Sequence, residues 1–312
     1  MIRFGLCCLF KEQPINFKRT TVKYLSKFSL EEQQRRLSAI CLYNAESLLK
    51  ALDFCYQNKI GCFRINSQIL PLKTHHDIGY SIYDLPEGEK IAGIFKDCGL
   101  FCKRHGIRTT FHPDQFIILS SPNPDVVSRS IADLEYQAEV AEWVNSDVIN
   151  IHAGGVYGDK ESALNRLRNT IDTLSDRVRR RLTIENDDKS YSPEDLLPLC
   201  SDMEIPFVYD IHHHRCLRDS LTVEQATERC FDTWNREPLF HLSSPKNGWK
   251  AQNQGIITKN IPINDIRMHH DYIDINDFPK FWLSINRDMT VEVEAKAKEV
   301  AILKLMKELE FI

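Results

Sequence analysis

Short apolar runs of strand length recur eight times along the chain, at residues 2–8, 62–66, 108–111, 148–151, 182–184, 207–209, 239–240 and 289–293. Amphipathic helical patterns separate most of them, at 30–56, 88–104, 124–144, 160–178, 193–200, 222–235, 278–285 and 297–309. In the first, Leu37, Ile40, Cys41, Leu48, Leu49, Leu52 and Cys55 recur at spacings of three and four, the period of a helix with one buried face. Pro124 and Pro193 stand where a first helical turn accepts proline, preceded by Asn123 and Ser192 as caps. Strand-then-helix alternation repeated eight times predicts an α/β fold, a single (β/α)8 TIM barrel whose parallel strands aim their carboxyl ends at one mouth.

The residues that end the apolar runs give this barrel its chemistry. The third run leads into His112, the fourth into His152, the fifth into Glu185, the sixth into Asp210 with His213, the seventh into His241 and the eighth into Glu294. His269 falls in a long stretch, 243–272, rich in Asn, Gly, Pro and Lys, which comes after the seventh run and so belongs to the active face. His75, His76 and His105 fall in a loop and a helix end, where solvent is the default. Imidazoles and carboxylates without paired thiolates suit zinc, manganese or iron. Eight donors exceed one tetrahedral ion, which takes three protein ligands and a water, so a cluster of two or three divalent ions is expected. Such clusters clamp the attacking and leaving oxygens of a phosphodiester, which makes hydrolysis the natural reaction. Asp210 and His213 are three apart, close enough to turn into one pocket, although spacing alone leaves His212 and His214 open. Glu292 shares a strand face with Glu294 and, if inside the barrel, needs a partner there.

Composition narrows the setting. With 42% hydrophobic and 27% charged residues, the 312-residue chain reads as one soluble globular domain over 1–312, and its apolar stretches are shorter than the roughly 20 residues of a membrane helix. The start, Met1-Ile2-Arg3-Phe4-Gly5, has no leader pattern, so a cytoplasmic location is expected, and the ten cysteines read as reduced thiols. A net charge of -4 says little about nucleic acid when bound cations add charge at the mouth. Lys18, Arg19, Lys23 and Lys27, interleaved with Phe17, Tyr24 and Phe28 in the loop expected after the first run, suit a phosphate backbone with stackable bases. Arg177, Arg179, Arg180 and Arg181 end a helix before the fifth run, on the opposite face, and favour a helix carboxyl terminus.

Six segments in order, His112-Pro113-Asp114-Gln115-Phe116, Ile151-His152-Ala153-Gly154-Gly155, Glu185-Asn186-Asp187-Asp188, Asp210 to His214, His241-Leu242-Ser243-Ser244 and Glu294-Ala295-Lys296, together resemble the UV damage endonuclease family. Ile2-Arg3-Phe4-Gly5 and Phe63-Arg64-Ile65 extend the resemblance over nearly the whole chain. It implies a repair enzyme that cuts damaged double-stranded DNA immediately 5′ of a UV photoproduct, leaving 3′-hydroxyl and 5′-phosphate ends. It also implies two or three divalent ions, manganese foremost and zinc beside it, and neither a nucleotide cofactor nor a membrane. The family's ligands carry over onto His112, His152, Glu185, Asp210, His213, His241, His269 and Glu294, with Glu185 bridging ions and helping to place the attacking hydroxide. Gln115 and Phe116 match the pair that the family wedges into the duplex at the lesion. Three positions depart from the family's pattern: Phe116 stands where many members have Tyr, Leu6 replaces a Tyr of the lesion pocket, and Leu239 stands where some members have a lysine that becomes carboxylated. An abasic-site nuclease of the endonuclease IV type is the alternative, with a xylose-isomerase-like sugar isomerase behind it. A monomer is expected, since a single-barrel nuclease can work alone.

Overall fold

In the computed structural model, described for residues 1–249 and 266–311, the eight apolar runs are strands that close into one parallel barrel in chain order. They are β1 (Ile2–Cys7), β2 (Cys62–Ile65), β3 (Arg108–Phe111), β4 (Val148–His152), β5 (Leu182–Glu185), β6 (Phe207–Asp210), β7 (Leu239–Leu242) and β8 (Met289–Val293). Closure joins β1 to both β2 and β8, so no sheet edge is left for another chain to pair with.

Among the described residues the α-helices are α1 (Val22–Leu25), α2 (Leu30–Gln57), α3 (Gly88–His105), α4 (Pro124–Val144), α5 (Lys160–Ile171), α6 (Asp176–Arg179), α7 (Pro193–Asp202), α8 (Ile211–Cys216), α9 (Val223–Asp232) and α10 (Glu299–Glu308). Their limits follow local chemistry. Asn123 caps α4 by accepting from the Asp125 N–H, and Asp195 reaches back to the Ser192 N–H to start α7. Gly106, at φ 67°, ends α3 in the left-handed region and turns the chain into β3. None of the helices among the described residues is long and apolar enough to cross a membrane, and all ten cysteines are free.

Three expectations about elements are corrected. The helix expected over 160–178 is two, because Ser175 caps a fresh turn with its hydroxyl on the Val178 N–H after α5 has ended. The helix expected over 278–285 is a 3₁₀ segment, Lys280–Ser284, anchored by the single buried ring of Trp282, whose indole donates to Thr227. One anchor is too little apolar face for an α-helix. The basic aromatic segment after β1 is not all loop: it holds α1, whose Leu25 is buried while Lys18, Arg19, Lys23, Tyr24 and Lys27 face solvent. Phe17 and Phe28 are half-buried, and Arg36 stacks on Phe28, so these two rings anchor the segment.

Alternation along the strands sorts the barrel interior into levels. At the floor Val148, Val208 and Leu239 pack together. Beside them Arg108 pairs with Asp147 at 2.8 and 3.0 Å and donates to Thr290 at 3.0 Å. Leu239 therefore sits in an apolar floor two residues below His241. The next level holds Thr110, Asn150, Thr183, His241 and Glu292, and the strand ends above them present the donors expected from the sequence.

Candidate metal centre

Glu185 ends β5 at the centre of the mouth, fully buried. Its Oε2 accepts from Asn150 Nδ2 at 2.5 Å and lies 3.0 Å from His112 Nε2; its Oε1 lies 3.0 Å from His241 Nδ1 and 3.3 Å from His213 Nδ1. Burial opposes its charge, yet the imidazoles of His241 and His152 hold the carboxyl well below the usual carboxylate range. Such an acid stays ionised and cannot donate a proton.

Three groups of donors overlap around it. His112, His152 and Glu185 form one; His112, His241 and Glu294 a second; Glu185, Asp210 and His213 a third. In each, one donor atom per residue lies within 4.8 Å of the others. His112 and Glu185 each belong to two groups, the arrangement of shared ligands. Burial pushes the His152 imidazole down to about 4, leaving the neutral form that binds cations. Burial also works against charging His241, but Glu185 beside it raises that ring to about 10, so this corner of the mouth attracts positive charge. His112 Nδ1, His152 Nδ1 and Asp210 Oδ2 are buried with no hydrogen-bond partner among the described residues. Buried polar atoms without partners are costly, and three of them in one donor cluster fit bound cations.

Local structure decides which of the three consecutive histidines joins this cluster. Asp210 caps α8, accepting from the His213 N–H at 2.8 Å, which folds His213 back until its Nδ1 lies 3.5 Å from Asp210 Oδ2. His214 turns away: its ring nitrogens meet the Tyr209 hydroxyl at 2.7 Å and Asp219 at 2.8 Å. His212 is buried against the rings of His269 and Trp249. Asn186 clips the two strands together, since its side chain bonds both the N–H and the C=O of Asp210, and its own carbonyl faces His213 Nδ1 at 3.0 Å.

The stretch expected over 243–272 is described at its two arms only; 250–265 lie outside the described residues. The arms pair: Lys246 N–H donates to the Met268 carbonyl at 2.7 Å and His270 N–H to the Ser244 carbonyl at 2.8 Å. That pairing holds His269 Nδ1 3.6 Å from Glu294 Oε2.

Gln115 and Phe116 project from the same mouth. Buried Pro113 and Ile117 flank a turn closed by the Ile117 N–H on the Asp114 carbonyl at 3.0 Å, which leaves both side chains at its tip in solvent. Phe116 is 74% exposed, so it packs no core. Leu6 has the opposite fate. It points out of the barrel into the core beneath the helices and contributes no surface to the mouth. Cys7 and Cys8 instead line a cavity of about 360 Å³ with Arg64, His269, Glu294 and Lys298.

The family model of UV-endonuclease UvdE matches residues 2–312. The chain belongs to the UvdE family. It is similar to the UV DNA damage endonuclease of Bacillus pumilus (strain SAFR-032), 34% identical over 305 residues that cover 95% of this chain and 89% of that one. Over the full length of both chains it matches the crystal structure of SacUVDE with a TM-score of 0.83 at 27% identity. Endonuclease IV from Thermus thermophilus matches with a TM-score of 0.61 at 14% identity, covering 99% of this chain and all of that one, a likeness of fold. Membership in the UvdE family carries the coarse activity with it: this is a DNA-repair endonuclease.

From the sequence Asn150, Asn186 and Arg64 carry no assigned role, although Asn186 and Arg64 fall within segments of the family resemblance. Asn150 and Asn186 hold Glu185 and Asp210, and Arg64 lies between Glu292 and Glu294 with its guanidinium against His241. Beyond its place in Phe63-Arg64-Ile65, the signal for Arg64 is a cation inside an apolar strand pattern, which demands a buried counter-charge.

Proposed function

We propose that this enzyme nicks double-stranded DNA immediately 5′ of UV photoproducts, leaving 3′-hydroxyl and 5′-phosphate ends, and that it does so with two or three divalent ions, manganese foremost. His112, His152, Glu185, Asp210, His213, His241, His269 and Glu294 hold them. The observation that carries the reading is the sharing of His112 and Glu185 among three donor groups at one mouth. When bound, the ions supply Lewis acidity to a phosphodiester. The chain's own residues do the rest. Glu185, ionised and braced by Asn150, links the donor groups. Gln115 and Phe116, exposed beside His112, fill the gap left in the duplex when damaged bases leave the stack. Lys18, Arg19, Lys23 and Lys27 face solvent on the segment after β1 and suit the phosphate backbone.

A nicking assay on UV-irradiated, abasic and undamaged plasmids, with manganese or with a chelator, tests the reading. Nicks are expected on irradiated DNA, only with the metal, and Glu185→Gln is expected to abolish them while leaving DNA binding largely intact. Nicking confined to abasic DNA sinks the lesion assignment, and cutting at the normal rate by Glu185→Gln sinks the role given to that carboxylate.

A further inference from the structure

Glu292 lies one level below the mouth on β8, fully buried. Its partners come from three other strands, β2, β3 and β7. Arg64 of β2 donates to its Oε2 through Nε at 2.6 Å and also contacts it through Nη2, and the Thr110 hydroxyl of β3 donates to its Oε1. Arg64 reaches β8 across β1. The strand between them carries Gly5 at that level, registered with Cys62 on one side and Glu292 on the other. A Cβ on Gly5 would stand 2.9 Å from Glu292 Cγ, so the missing side chain makes the room in which this carboxylate sits.

The pair meets His241 on the ring edge that faces away from the donor cluster. His241 Nε2 lies 3.1 Å from Glu292 Oε2 and 2.8 Å from Arg64 Nη2, while Nδ1 faces Glu185 at 3.0 Å and Glu294 at 3.6 Å. To bind a cation His241 must give up the proton that Glu185 otherwise favours; the neutral imidazole then has one bare nitrogen, and only that nitrogen can hold the cation. For Nδ1 to be bare, Nε2 must carry the proton and needs an acceptor. Arg64 cannot accept; facing Nε2, it favours the other tautomer. Glu292 is the acceptor among these neighbours. Arg64 in turn pairs with Glu292, and its Nη1 restrains one oxygen of Glu294 at 2.5 Å.

We propose that Glu292, held by Arg64 and Thr110 in the space that Gly5 leaves, is the positioning residue that fixes His241 with its Nδ1 lone pair directed into the metal cluster. The proposal rests on the divalent-ion reading above. It assigns Glu292 no contact with substrate or ion; it acts through His241.

The test is calorimetric titration of chelator-stripped full-length protein with Mn²⁺, beside long-range ¹H–¹⁵N spectra of the Zn²⁺-loaded, diamagnetic form. Glutamine at 292 offers one oxygen where Arg64, Thr110 and His241 all need an acceptor. Glu292→Gln is therefore expected to weaken Mn²⁺ binding roughly 10- to 100-fold, the usual effect of losing a partner behind a metal-bound histidine. Thr110→Val, which removes one donor to Glu292, is expected to weaken it less and in the same direction, and Glu292→Asp to restore part of the loss. In the wild-type spectrum His241 is expected to carry its proton on Nε2. Glu292→Gln that binds Mn²⁺ within about twofold of wild type, or a wild-type His241 protonated on Nδ1 in the Zn²⁺ form, overturns the proposal. Should Glu292→Gln fail to fold, equal affinities of wild type, Thr110→Val and Glu292→Asp overturn it as well. If the wild-type protein takes up no divalent ion at all, the cluster reading itself fails, a result distinct from each of these.

Discussion

Phe116 shows how far a single residue's role can be judged from its surroundings. A phenylalanine exposed over 74% of its surface contributes little to folding, and nothing in its turn depends on the ring. Phe116→Ala is therefore expected to leave the melting temperature unchanged within error. It is also expected to weaken binding to UV-damaged duplex by about 5- to 150-fold, the loss of one stacking contact of about 1–3 kcal/mol. A gel-shift titration against damaged and undamaged duplexes of one sequence measures it; equal affinity of mutant and wild type for damaged DNA removes the ring from lesion recognition. Its exposure follows from a local feature, a turn between two buried neighbours. Leu6 takes the place of a Tyr of the family's lesion pocket, yet the end of a strand offers two faces, and the pairing of Leu6 with Phe63 sets it on the outer one. Among His212, His213 and His214 the choice was not legible from spacing, since it depends on Asp210 capping the helix after it.

At the scale of elements, the strands were legible because an apolar run of four or five residues is a complete local signal, and the long helices because their buried stripes repeat over several turns. Short elements were not. α1 and α8 have four and six residues, too few to display a period. The ties between elements were equally hidden. Glu299, at the start of α10 and almost fully buried, accepts the backbone N–H groups of Lys11, Glu12 and Gln13 at 2.7, 2.7 and 3.1 Å, anchoring the segment that leaves β1 at the mouth. Asn44 of α2 does the same farther along, bonding both the N–H and C=O of Lys18 and the Ile69 carbonyl. Glu299→Ala strands three donors at once and is expected to cost about 1.5–3 kcal/mol, the range for hydrogen bonds to a charged group. The melting temperature should fall, and trypsin should cut at Lys11 well before it cuts elsewhere. A mutant as resistant as wild type means that the segment is held by other contacts.

For the whole molecule, the mouth gathers three ionised or ionisable carboxylates and five imidazoles from six strand ends and the arm after β7. Cations that bind this assembled cluster and not the unfolded chain must stabilise the barrel by mass action, by about 2.7 kcal/mol when present at a hundred times their dissociation constant. Thermal melts are expected to rise on adding Mn²⁺ to chelator-treated protein and to fall again with excess EDTA; a melting temperature indifferent to both argues against a cluster formed by folding. The amino-acid sequence by itself determined the order of strands and helices, the barrel class, and which donor types stand at the strand ends, because all of these are encoded in short-range periodicity. Only the tertiary structure decided which buried groups meet: Arg64 with Glu292 across Gly5, Asn150 with Glu185, Leu239 with the floor of the barrel. The physical reason is closure. Until β1 joins β8, the interior faces of the strands have no fixed neighbours, and a buried charge finds its counter-charge only when register brings residues from opposite ends of the chain to one level of the barrel.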